Sequence, residues 1–241
     1  MAQVAAAPTK TTVASENSKA RILAEIALTY GLILLVIWTP RPAQRYLWIV
    51  AAASVVFVTW ISYEGRQAMG LRAAGFARAL WIVAAALFLS AAAILVAAHF
   101  GTLHLPAGVA AFFATYCAYA IWSGVQQFLL QGVFLLRFLK LIPNPRLAAL
   151  TAAALFAAAH LPNPILTPIT FVWGLAACLL FLHYRNVYPL ALAHAILGIT
   201  VAMTIPGPVD HNMRVGLGYI TYGHQRHGRL PYPLEHPLPK P

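Results

Sequence analysis

Seven apolar runs recur along the 241-residue chain, at 22–38, 47–62, 80–100, 107–142, 147–160, 167–184 and 190–205, separated by proline- and glycine-containing segments. Most of them approach or exceed the roughly 20 residues that a helix needs to cross a hydrocarbon core. Only 9% of the residues are charged, whereas a soluble domain carries about a quarter. So little polar surface cannot clothe that much apolar chain in water. A single water-soluble globule is therefore excluded, and the pattern predicts an all-α, multi-pass transmembrane helical bundle of about seven spans. Residues 1–21 lack a sustained apolar core, and no small-residue cleavage site follows the first run. The expectation is a disordered cytoplasmic tail over 1–21, a transmembrane domain over 22–205 and a polar, proline-rich tail over 206–241.

The charge balance is basic, with 16 Lys and Arg against five acids. The excess sits in short loops, so a lipid bilayer explains it and nucleic acid is not needed as a partner. Three basic residues in the N-terminal tail, three in 64–78, three in 137–146 and Arg185 alternate with loops carrying two, none and none. By the positive-inside bias the N-terminus is cytoplasmic. Four basic residues in the C-terminal tail are discordant with seven spans, and an eighth span or a re-entrant segment would remove the discord. The two cysteines, Cys117 and Cys178, both lie in apolar runs and form neither a disulfide framework nor a paired-cysteine metal motif.

The run 107–142 would measure about 54 Å as one straight helix, against a hydrocarbon core of about 30 Å. It must tilt, protrude or break, and Ser123-Gly124 is the expected break. Beyond it lie Gln126, Gln127 and Gln131. At 100° per residue Tyr116, Ser123, Gly124, Gln127 and Gln131 share one arc, with Gln126 at its edge. Such a face points into the bundle, either as interhelical glue or as a functional site. His160 closes the run AAAHLPNP and His194 lies inside PLALAHAILG. Ionisable side chains at membrane depth are costly, and they face a partner or a cavity. Gln126 and His160 are equidistant from the turn at Pro143, so an antiparallel hairpin places them at one depth. His194 joins them only if LPNPILTP dips inward, and irregular backbone is tolerated at that depth only where it lines protein or a wet cavity.

The segments SGVQQFLLQGVFL, LFAAAHLPNP and LALAHAILG resemble the CAAX prenyl protease and bacteriocin-processing (CPBP, or Abi) membrane proteases. Their three blocks are Glu-Glu-x-x-x-Arg-Gly, Phe-x-x-x-His and His-x-x-x-Asn. The resemblance covers about 107–205 and implies a CPBP-like core there. In that family a first-block glutamate and the second-block histidine activate water, and the third-block histidine and asparagine support the oxyanion. Transferred by position, the glutamate pair falls on Gln126 and Gln127, the arginine on Gln131, the glycine on Gly132, the second block on Phe156 and His160, and the third on His194 and Gly198. Only the glycine, the phenylalanine and the two histidines are retained.

A glutamine amide has no useful basicity near pH 7 and cannot take a proton from attacking water, a service worth about 10² to 10⁴ in rate. It keeps the shape of glutamate and offers both a donor and an acceptor. No acid occurs between Glu64 and Asp210, and Glu25 in the first run reads as a residue snorkelling at the inner boundary. The residues thus point to a neutral cavity that binds a hydrophobic or prenylated peptide, a lipid or an isoprenoid-like ligand, or to a membrane scaffold with a membrane-protein partner. Two alternatives stay open. One is an endopeptidase with altered chemistry. The other is a metal-dependent enzyme using His160 and His194 with a third ligand from His104, His183 or the tail. No characteristic metal-ligand spacing supports the metal, and no cofactor is expected. In the tail, Asp210 and Arg214 are placed for a surface ion pair, DHNMRVGLGYITYGHQ can fold back over the membrane face, and PYPLEHPLPKP reads as extended polyproline.

Overall fold

The computed structural model describes residues 10–73 and 75–222. They form an all-α, multi-pass membrane-spanning helical bundle. The long helices are α1 (Lys10–Trp38), α2 (Ala43–Ile61), α3 (Leu80–His99) and α4 (Val109–Phe128). A π-helical stretch, Leu129–Leu135, joins α4 to α5 (Leu136–Leu141). After these come α6 (Pro145–Ala158), α7 (Leu166–Tyr184), α8 (Tyr188–Thr204) and the short α9 (Gly207–Asp210) and α10 (Gly216–Ile220). Four segments are long and apolar enough to cross a membrane: Ser18–Trp38, Ala43–Ile61, Ala77–His99 and Leu166–Tyr184. Pro145–Ala158 and Tyr188–Thr204 are apolar but shorter. Trp60, Phe88, Val172 and many other large apolar side chains point outward, an arrangement suited to lipid and not to water.

Three asparagines start the helices of the second half. Asn144 accepts from the backbone N–H groups of Arg146 and Leu147, with Pro145 in the first turn. Asn163 accepts from Ile165 and Leu166, and Asn186 from Tyr188. Each cap satisfies donors that a helix start would otherwise leave unpaired. Between these helices the core is closely packed. Ala148, Ala149, Ala152, Ala153 and Ala157 form a buried stripe on α6, and Gly174 of α7 meets it, where an added Cβ would stand 3.1 Å from the Phe156 ring and 3.5 Å from the Ala153 Cα. Small residues let the two backbones approach, which is how helices associate where lipid weakens the hydrophobic drive. Direct side-chain bonds tie the remaining helices: Thr200 Oγ1 donates to Ser90 Oγ (2.8 Å) between α8 and α3, and Tyr30 donates to the Leu155 carbonyl (2.9 Å) between α1 and α6.

Several expectations change. Helix α1 begins at Lys10, so residues 10–21 are helical where a disordered tail is expected; Ala, Glu and Lys are good helix formers and no proline or glycine interrupts them. Residues 1–9 lie outside the described residues. Ser123-Gly124 does not break α4. The Ser123 hydroxyl bonds back to the Tyr119 carbonyl (3.0 Å), so the residue is accommodated within the helix, and the irregularity falls instead at the π-helical Leu129–Leu135. The C-terminal tail is folded as far as Tyr222. Gly216 donates its N–H to the Leu161 carbonyl, and a Cβ at Gly216, whose φ is +54°, would collide with Ile37. His211 stacks between Tyr219 and Tyr222, at 4.0 and 4.6 Å between ring centroids, and Arg214 lies over Tyr222. Asp210 is buried and its carboxylate accepts the Asn212 N–H (2.9 Å). The proline-rich end lies outside the described residues.

Candidate functional site

Tyr119, Ser123, Gln127 and Gln131 follow one another four residues apart, which lines them along one side of α4 and its π-helical extension. This side packs against α8. Ser123, Gln127 and Gln131 have no exposure, whereas Gln126, at the edge of the arc, is half-buried. The π-helical turn holds Gln131 and Gly132, and all seven of its residues are buried. π-helical turns are rare and concentrate at functional positions.

Opposite the amides stands His194, on α8. Its Nδ1 lies 3.0 Å from Gln127 Nε2, so the amide donates and the ring nitrogen accepts, with the imidazole neutral. Gln131 Nε2 in turn reaches Gln127 Oε1 at 3.4 Å. The result is a relay of uncharged groups, Gln131 to Gln127 to His194, drawn from the π segment, α4 and α8.

His160 stands beside this relay. Its Nδ1 bonds the Phe156 carbonyl at 2.8 Å. The Phe156 ring touches both imidazoles edge to face, with centroids 4.9 Å from His160 and 5.9 Å from His194. Trp173 closes the group at 6.1 Å from His194. The structure therefore brings Gln127, Gln131, His160 and His194 into one cluster. The contact that joins α4 to the histidines runs through Gln127 and His194, and not through Gln126 and His160 as the hairpin count suggests.

Two residues that sequence reasoning missed, Tyr119 and Asn163, complete the surroundings. Gly198 is buried, and a Cβ there would collide with the Tyr119 hydroxyl, so Tyr119 fills the space where the resemblance places an asparagine side chain. Asn163 is fully buried; besides capping α7 it donates to the carbonyls of Asp210 (2.8 Å) and Arg214 (3.1 Å). It thereby fixes both the turn that follows His160 and the folded tail. Phe156 enters the sequence reading only as a retained family position, and its packing between the two imidazoles shows what the position does. An i, i+4 scan of α4 would have found Tyr119; nothing in the sequence reveals the partners of Asn163.

The amides themselves have no solvent exposure. Yet Gln131 Oε1 and Trp173 Nε1 have no hydrogen-bond partner among the described residues, an acceptor and a donor left over beside the relay. Such buried groups are normally satisfied by water or by a ligand. Outward, the half-buried Gln126 and His160 form the accessible edge.

Glu25 is not a snorkelling surface residue. It is 7% exposed and accepts from Arg137 Nε (2.9 Å), Arg21 Nε (2.9 Å) and Ser62 Oγ (2.8 Å). Arg137, which counts as a loop charge in the sequence, is itself buried and donates further to the carbonyls of Val133 and Val58. A carboxylate held by two guanidinium groups is charge-neutralised where it stands and is committed to the joint between α1, α2 and α5. As for the third ligand of a histidine metal site, both ring nitrogens of His104 are engaged by the carbonyls of Thr102 and Ile205, and His183 packs on Tyr184 at the end of α7. Among the described residues no three His, Cys, Asp or Glu side chains gather at metal-binding spacing.

Compared with known proteins, the chain matches the family model for type II CAAX prenyl endopeptidase Rce1-like proteins over residues 123–200. The match spans less than half of the chain, from the buried Ser123 through both histidines to Thr200. No curated protein and no solved structure matches the chain.

Proposed function

We propose that this protein is a non-hydrolytic relative of the CAAX-type (CPBP) membrane endopeptidases. On this reading it acts as a membrane-embedded binding or scaffold protein for a hydrophobic or prenylated peptide, a lipid or an isoprenoid-like ligand. The observation that carries the reading is the 3.0 Å contact between Gln127 and His194. A neutral amide occupies the position at which the family motif places a carboxylate, and the imidazole is already accepting its hydrogen bond. With no acid in the sequence between Glu64 and Asp210, no carboxylate stands in this cluster to take the proton of an attacking water as the family glutamate does, and the rate enhancement of about 10² to 10⁴ that such a base supplies is forfeited. The Tyr119 hydroxyl in the space beside Gly198 removes the second family feature, an amide donor for an oxyanion. What remains is a set of hydrogen-bonding groups without charge, suited to a ligand presenting amide or hydroxyl groups on an apolar body.

In the membrane the chain would take seven spans, α4 to α5 counting as one, with the N-terminus cytoplasmic. A cysteine introduced as Arg66→Cys should then react with impermeant reagents only from the cytoplasmic side; labelling from outside would reverse the orientation. The binding reading is tested by mass spectrometry of the purified protein. A lipid or peptide that co-purifies with wild type and is lost from Gln127→Leu supports it, and wild type that carries none and captures none from a prenylated-peptide pool contradicts it.

A further inference from the structure

Where α1 passes the ends of α2 and α5, a cavity of about 440 Å³ is lined by Ser18, Arg21, Glu25, Ser62, Glu64, Arg137 and Lys140 together with Ile22. It holds three cations against two carboxylates, one net positive charge. Both carboxylates are already used: Glu25 by Arg21, Arg137 and Ser62, and Glu64 by Lys140 at 2.8 Å. Arg137 is used as well, since all three of its nitrogens donate within the protein. The unspent capacity is on the other two cations. Arg21 Nη1 has no partner among the described residues, its Nε and Nη2 being the nitrogens that bond Glu25, Ile61 and Ser62. Among the described residues Lys140 Nζ bonds only Glu64, which leaves two N–H groups. The side chains of Arg21 and Lys140 are 61% and 45% exposed, so both heads are reachable from outside while Arg137 is not.

The position of the cavity identifies its ligand class. Ser18 and Arg21 begin the first membrane-crossing segment and Ser62 directly follows the second, so the cavity opens at the bilayer boundary, where lipid phosphates lie. A guanidinium and an ammonium with free donors, set around a pocket whose acids are neutralised, suit a phosphate group. From these observations we infer that the cavity is a phosphate-binding site for the headgroup of an anionic phospholipid, held by Arg21 and Lys140. The buried Glu25–Arg137 pair sets its floor, and Ser18 adds a hydroxyl at the wall. The site is separate from the amide–imidazole cluster, and its occupancy does not depend on the function proposed for that cluster.

The test uses the full chain in nanodiscs of equal phosphatidylglycerol and phosphatidylcholine, with lipid retention read by native mass spectrometry. Wild type should retain phosphatidylglycerol with a preference of about fivefold. Lys140→Gln, which leaves the buried pair untouched, and Arg21→Gln should each bring the preference close to parity. Arg146→Gln removes an exposed basic residue outside the cavity and should leave it intact. Parity in wild type, or an Arg146→Gln loss equal to that of Lys140→Gln, overturns the inference. A second arm adds millimolar inorganic phosphate to lipid-free detergent-solubilised protein. Thermal stabilisation that disappears in Lys140→Gln supports phosphate recognition and shows that a free phosphate also serves, whereas stabilisation that persists in Lys140→Gln counts against the site.

Discussion

The Gln127 side chain serves two partners from a position with no solvent: its nitrogen serves His194, and its oxygen accepts from Gln131. Substituting leucine removes both bonds and leaves an imidazole nitrogen and a second amide buried without partners, each costing about 1–3 kcal/mol. Gln127→Leu should therefore lower stability by about 2–4 kcal/mol in denaturant titrations of the detergent-solubilised protein; a change below about 0.5 kcal/mol would mean that the relay is not formed. Asp210 illustrates the opposite balance, outside the membrane-spanning segments. Burial pushes its carboxyl above the ordinary carboxylate range, against the pull of the backbone N–H groups of Asn212 and Met213. A folded-state value raised above the unfolded one gives a contribution to stability that is complete below the unfolded pKa and fades as pH rises through the folded pKa. Protection of the Gly216 amide, corrected for intrinsic exchange, should accordingly decline as pH rises above the ordinary carboxylate range in wild type and stay level in Asp210→Asn. Equal declines in the two proteins would show that Asp210 does not govern the docking of the tail.

At the scale of elements, the contact between α6 and α7 positions the histidines through Phe156. The ring lies against Gly174 and between His160 and His194, so any side chain at position 174 reaches both imidazoles indirectly. Gly174→Val should overpack the joint at a cost of about 1–3 kcal/mol and shift the resonances of both histidine rings. Unchanged histidine chemical shifts would show that Phe156 does not couple them. The helices themselves were legible: all seven apolar runs became helical, because burial in lipid demands internally satisfied backbone. The polar arc of α4 was equally legible, since 100° periodicity places Ser123, Gln127 and Gln131 together. The π-helical turn was not, for it arises from how Leu129–Leu135 packs on α6 and α7, and Gly132 is its only unusual local signal. Nor was the folded tail, whose anchor is Asn163, a residue that donates to the carbonyls of Asp210 and Arg214; contacts that long in sequence leave no periodic trace.

For the whole molecule, the ion pairs gather at one end and the central cluster is uncharged. Glu25, Arg21, Arg137, Glu64 and Lys140 gather where α1 passes the ends of α2 and α5, and counting Arg137 as a loop charge concealed that it is a buried partner of Glu25. The match to the Rce1-like family model covers the segments that build the central cluster, while α1 to α3 lie outside it. On the proposed reading, in which amides stand at the family's acid positions, the protein recognises its ligand without turnover. The direct measurement incubates wild type in nanodiscs with a prenylated peptide and quantifies bound intact peptide and released product together. Saturable binding that Gln127→Leu weakens, with no product above the protein-free control, is the predicted result. Product formed by wild type and abolished in His160→Ala would contradict the account.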